Sequence, residues 1–317
     1  MIEVTGHSEE TPSKKQSKRP RIDESVRRRV LELRGRHSLR EVAELTGLPI
    51  GTVKTLVSRS GVFRDNLAHR EMFTLPPMRH SAETLPMVPE LPLQEKVTGD
   101  REVDAMLWLR AVIGTGNPAL IDLALESANK IKTPAKELED RYVKHLLASH
   151  PGDWVAALRA FDFANLTSLA VQSRKNLALK LEGAARFGGL LMEDTIAEVF
   201  CKDALSNLKQ TERWPYYDGA DAAACFELQS TLLPRTLSDC LRELEYWDLL
   251  GEFRSAIDSG LGDHSPEVAV REAFVFDLMA EIRPLNRGEA KATLRYLIDN
   301  DRRNWSGYDA IIENLVG

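Results

Sequence analysis

Thr52, Lys54, Thr55, Ser58 and Arg59 follow Gly51 in a stretch whose remaining positions, Val53, Leu56 and Val57, are apolar. Short hydroxyls donate and accept at a length suited to base edges or phosphates, and Lys and Arg bring the charge that phosphates require. At helical spacing the polar set shares one outer face while the apolar set turns inward. Other candidates for chemistry lack partners. Tyr216-Tyr217-Asp218 and Arg295-Tyr296 have no suitable His-x-x-Arg arrangement upstream, and no α/β catalytic domain of the serine-recombinase kind is readable. Gly114-Thr115-Gly116 is not followed by Gly-Lys-Ser/Thr, so it reads as a helix stop before Asn117-Pro118 rather than a phosphate loop. Glu139, Asp140, Glu243, Glu245 and Asp248 read as wet faces of amphipathic helices. Trp108, Trp154, Trp214, Trp247 and Trp305 read as core anchors. The expectation is a protein that is not an enzyme.

Three cysteines, Cys201, Cys225 and Cys240, fit neither a disulfide framework nor a C-x-x-C pair, and are expected to be buried, reduced thiols. The closest histidines, His145 and His150, are not three or four apart as ligands on one helical face would be. No metal or cofactor is expected. The chain has no run of about 18 apolar residues, and Ile2, Glu3 and Val4 lead into polar residues without a signal-peptide layout. A cytoplasmic, nucleoid-associated protein with no membrane partner follows.

Charge divides the chain. Between Thr11 and Arg64 stand fourteen Lys or Arg and five acids, a segment of +9 in a chain of net charge −6, so the remainder carries −15. A basic head precedes an acidic body, and only the head has the sign a polyphosphate attracts.

The elements follow from starts and stops. Residues 1–22, rich in Ser, Thr, Lys and Glu, read as a flexible basic arm. The first helix follows Asp23 as N-cap, turns Val26, Val30 and Leu33 inward and stops at Gly35. Ser38-Leu39-Arg40-Glu41 is a capping box that opens a second helix with Leu39, Val42, Ala43 and Leu45 inward. Gly47 supplies the turn, and Leu48-Pro49 starts a third helix that buries Ile50, Val53, Leu56 and Val57 and ends at Gly61. Residues 65–99, with Pro76, Pro77, Pro86, Pro89 and Pro92, read as a Pro-rich linker. Residues 100–317 read as a larger α-helical domain. Its apolar stripes are Met106, Leu109 and Ile113, then Leu120, Leu123, Ala124, Ala128 and Ile131, then Tyr142, Leu146 and Leu147. Helical segments continue from Trp154, Leu158 and Phe161 to about Phe187, then over 190–201, 233–253, 268–282 and 290–298, broken at Gly152, Gly188-Gly189, Gly260, Gly262 and Pro284. The length suits about two units, and the fold class is all-α.

The run Leu39-Arg40-Glu41-Val42-Ala43-Glu44-Leu45-Thr46-Gly47-Leu48-Pro49-Ile50-Gly51-Thr52-Val53-Lys54-Thr55-Leu56 resembles the helix-turn-helix of bacterial regulators, resolvases and sigma-factor region 4. Small Ala43 allows two helices to cross closely, Gly47 turns the chain, and Val53 and Leu56 lock the second helix on the first; Thr46 departs from the usual apolar residue. The likeness covers residues of the head alone. It implies a third helix in the major groove of duplex DNA, with Gly51, Thr52, Lys54, Thr55, Ser58 and Arg59 toward the bases or backbone and Arg40 as a further contact. The arm Lys18-Arg19-Pro20-Arg21 would follow the neighbouring minor groove. A module this small needs two copies on adjacent half-sites, so a homo-oligomer, a dimer at least, is expected through the body. The functions implied are a transcriptional regulator, more specifically a repressor; an accessory protein of a plasmid or mobile element in partition, transfer or recombination; or a scaffold whose acidic body binds a protein partner while DNA tethers it.

Overall fold

Asp23 begins the first helix as its side chain dictates, accepting the Ser25 amide at 2.7 Å. In a computed structural model that describes residues 22–35, 37–79, 90–153, 155–158, 160, 162–258 and 262–316, every regular element is helical and none of these residues forms a strand. The all-α expectation holds. Lys18, Arg19, Arg21, Pro86, Pro89, Trp154, Phe161 and Gly260 lie outside the described residues. No helix among the described residues is long and apolar enough to cross a membrane.

The chain divides into two compact units between Arg64 and Asp65. In the first, α1 (Glu24–Arg34), α2 (Leu39–Thr46) and α3 (Ile50–Ser60) each contact the other two. Val30, Val42 and Val53, one from each helix, are fully buried, with Leu33, Leu39, Ala43, Leu48, Leu56 and Val57 packed around them. Two expectations fail here: Leu45 is 60% exposed and Ile50 is 40% exposed. Val42 takes the one fully buried place on α2 and Leu45, one turn later, is left at the edge of the small core, while Ile50 sits on the first turn of α3, beyond its reach.

In the second unit α4 (Leu67–Met72) is followed by α5 (Arg101–Gly114), α6 (Pro118–Ala128), α7 (Ala135–Ser149), α8 (Val155–Leu158) and α9 (Leu166–Phe187). Then come α10 (Ile196–Leu205), α11 (Gly219–Leu228), α12 (Leu237–Ile257), α13 (Pro266–Glu281), α14 (Arg287–Asp299) and α15 (Tyr308–Val316). The long helix α9 packs on α5 and α6 as well as on α12. A Cβ at Gly183 would stand 3.0 Å from Leu191 and 3.2 Å from Phe253, so α9 passes close to α12 there. Gly114-Thr115-Gly116 does end α5, and Asn117 caps α6 with Pro118 in its first turn.

The segment 65–99 is not linker throughout. Asn66 caps α4, its amide donates to Asp239 at 2.9 Å, and its side-chain amide donates to the carbonyls of Thr231 and Leu233. His69 and Phe73, four apart, are buried in the second unit. Farther along, the Pro76 carbonyl accepts from Arg186 and the Pro92 carbonyl accepts from Trp108. Prolines that bar a helix still leave carbonyls that bind a folded surface.

Helix α12 is buried on nearly every side, as a helix at the centre of its unit must be. This overturns one reading of the acids. Glu243 is not on a wet face but has no solvent exposure, and it accepts two hydrogen bonds from Arg271 at 2.7 and 2.8 Å and meets His69 Nε2 at 2.7 Å. Burial pushes its carboxyl up, but the Arg271 guanidinium and the His69 contact outweigh burial and hold it below the usual carboxylate range. Arg271 is itself fully buried, and the rings of Phe226, Phe274, Phe200 and Phe73 surround its guanidinium at 5.0 to 5.9 Å. Asp248 is half-buried, accepting from the Tyr296 hydroxyl at 2.7 Å and paired with Arg302. Trp247 is a core anchor, whereas Trp214 is 58% exposed against Tyr216. Cys201 and Cys240 are buried and free, but Cys225 is only half-buried. Leu123 and Leu147 leave their stripes for the surface.

Removing one member of a buried ion cluster strands the others, so Glu243→Gln is expected to cost about 3–5 kcal/mol at neutral pH. The native carboxyl titrates below its unfolded value, so its contribution is present above about pH 4.3 and is lost as the pH falls through the depressed native value. Urea titrations across pH should therefore give a shallower acid limb for Glu243→Gln than for wild type; equal limbs would remove Glu243 from that role.

Candidate nucleic-acid interface

The face of α3 is set by its neighbours. Ser38 accepts the Glu41 amide at 3.3 Å while the Glu41 carboxylate accepts the Ser38 amide at 2.7 Å, which fixes where α2 begins. Gly47 then takes φ +67°, a left-handed turn that L side chains adopt only with strain. Thr46, the departure from the apolar pattern, donates its hydroxyl to the Val42 carbonyl at 2.6 Å. That bond satisfies a polar group within the helix.

With Val53 locked in the core, Gly51, Lys54, Thr55, Ser58 and Arg59 are exposed and Thr52 is half-buried. The expected outer face of α3 is thus gathered on one side. Thr55 donates to the Gly51 carbonyl at 2.8 Å, leaving its oxygen lone pairs free to accept. Ser58 accepts from Arg64 at 3.3 Å, which brings a further cation to this face that sequence spacing alone did not single out. Pro49 at the N-cap offers no side-chain acceptor, so the first amides of α3 keep open hydrogen-bonding capacity beside Gly51, where no atom lies within 4 Å of a built Cβ.

The cations of the unit sort by partner. Arg28, Arg40, Lys54 and Arg59 are exposed and have no ion-pair partner among the described residues. Arg27 lies 3.7 Å from Glu24, and Arg29 lies 3.9 Å from Glu32. Arg34, counted with the basic head in the sequence, is buried: it donates to the His37 carbonyl at 3.0 Å and lies over the Phe63 ring. A cleft of about 1080 Å³ runs beside α3, bordered by Arg27, Pro49, Thr52, Thr55, Arg59 and the single acid Glu24. Such a cleft, with hydroxyls, the open amides at the start of α3 and the unpaired Arg59 along it, can hold a phosphate chain and present short side chains to what the phosphates carry.

No protein-family model matches the chain, no curated protein matches it, and no solved structure matches it. The geometry of the unit stands alone.

Because open space surrounds Gly47, its substitution reads backbone strain and nothing else. Gly47→Val is expected to destabilise the first unit by about 1–2 kcal/mol, while Gly47→Asn, which tolerates the left-handed region, costs much less. Hydrogen exchange of the α2 and α3 amides in the full chain measures this; equal losses for both variants would mean that the turn conformation is not what positions α3.

Proposed function

We propose that residues 23–64 bind duplex DNA as a helix-turn-helix domain and that the chain is a sequence-specific transcriptional regulator, a repressor, working as an oligomer. The observation that carries this reading is the composition of one face of α3, where unpaired Lys54 and Arg59 share the surface with Thr52, Thr55 and Ser58. In the major groove such a face supplies both the counterion-releasing charge and the short donors and acceptors that discriminate bases. Arg40 and Arg28, also without acidic partners, are available to phosphates on either side. The acidic second unit is assigned the oligomer contact, since a single three-helix module covers too little DNA for useful specificity.

The test is to sequence genomic DNA recovered with the full-length protein, beside a Lys54→Ala, Arg59→Ala variant. At about 150 mM salt the wild type is expected to enrich a small set of sites over promoters while the variant loses them, with a salt dependence of binding reduced by about one phosphate contact per cation removed. Equal recovery by both proteins would overturn the assignment of α3, and enrichment at repeated sites of an origin rather than at promoters would overturn the repressor reading.

A further inference from the structure

The second unit holds a cavity of about 620 Å³, within the size range of small-molecule sites. Helix α4 builds one wall with Ala68, Glu71 and Met72, at the i, i+3, i+4 spacing of one helical face, while its other face carries buried His69. Phe187 and Tyr246 supply aromatic lining, and Leu190 and Ile196 stand at the cavity 67% and 79% exposed. Two large aliphatic side chains held in water beside an apolar cavity are surface that an apolar ligand would cover.

Charge then selects the ligand. No Lys or Arg lines the cavity, and three basic groups around it are held by acids: Lys202 by Asp194 at 2.5 Å, Arg254 by Glu198 at 2.6 Å, and Arg186 by Glu182 at 2.7 Å. At the start of α10, which borders the cavity, a capping box takes two of the first amides, those of Thr195 and Glu198, each bonded to the other residue's side chain. Two lining carboxylates, Glu71 and Glu193, have no ion-pair partner among the described residues, and both are exposed at the rim. An anionic ligand would meet no lining Lys or Arg and two like charges.

We propose that this cavity is a binding site for a lipophilic organic cation, whose apolar body fills the space between α4, Phe187 and Ile196 and whose charge is met by Glu71 and Glu193. The aromatic rings of Phe187 and Tyr246 add attraction for a cation that no neutral or anionic ligand receives. The site is independent of how residues 23–64 act.

Tetraphenylphosphonium and tetraphenylborate share a shape and differ in the sign of their charge, so titration calorimetry of the full chain with each separates charge from apolar fit. Tetraphenylphosphonium is expected to bind one saturable site at least tenfold more tightly than the borate. Glu71→Gln with Glu193→Gln should erase that preference at an unchanged melting temperature, because both side chains are exposed. Ala68→Trp, from the exposed wall of the cavity, should fill it and abolish binding of both ions. Comparable affinity for the two ions, absence of a saturable site, or a double variant that still prefers the cation would each overturn the proposal.

Discussion

The pairing of Glu243 with Arg271 and His69 is the constraint to which the second unit is built. A carboxylate and a guanidinium taken wholly out of water cost far more than their attraction returns unless hydrogen bonds compensate, and three helices meet to provide most of them: α12 brings the acid, α13 the arginine and α4 the imidazole, with Arg271 Nη1 and His69 Nδ1 left without a hydrogen bond among the described residues. Four aromatic rings close over the guanidinium face. An apolar core of equal volume tolerates sliding and repacking; this one fixes the rotation of α12 and α13 and the docking of a six-residue helix that could not hold itself in water.

The first unit is organised on the opposite principle. Its core has three fully buried valines, so local devices at the helix ends carry a large share of its definition: Asp23, the Ser38–Glu41 box, Gly47 and Gly61. Such ends are specified by single residues, which frees the outer face of α3 from any structural duty. Lys54 and Arg59 pack against nothing that the fold requires, whereas Arg34 was drawn inward to cap the segment at His37 and stack on Phe63.

The same contrast governs what could be read from the sequence. Caps and turns are local chemistry, and so the three helices of the head, their boundaries at Asp23, Ser38, Gly47 and Gly61, and the side to which Thr52, Lys54, Thr55, Ser58 and Arg59 turn were legible. So were the long periodic helices of the body. Leu45 and Ile50 misled because periodicity marks a candidate inner face but not how many residues a small core has room for. Helix α4 escaped because six residues are too few to show a period, and its inward pair, His69 and Phe73, is recognisable only beside Glu243 and Arg271, some 170 to 200 positions away. Glu243 looked solvated for the same reason: an acid among charged neighbours on a helix announces nothing about a distant arginine. The apolar run from Leu190 reads as one helix to Cys201, but the Thr195–Glu198 box starts α10 afresh and leaves Leu190 in a short 3-10 turn.

The thiols acquire a use from this arrangement. Cys201 and Cys240 have no exposed surface, and burial pushes both thiols up, away from the reactive thiolate. Cys225, on α11, is only half-buried and keeps part of its surface in solvent. An alkylating reagent added to the native chain therefore meets one site directly and the other two only during excursions that part α10 or α12 from its neighbours. The protein contains its own clock for breathing of the body, with Cys225 marking reagent access and Cys201 and Cys240 counting the openings of the region built around Arg271.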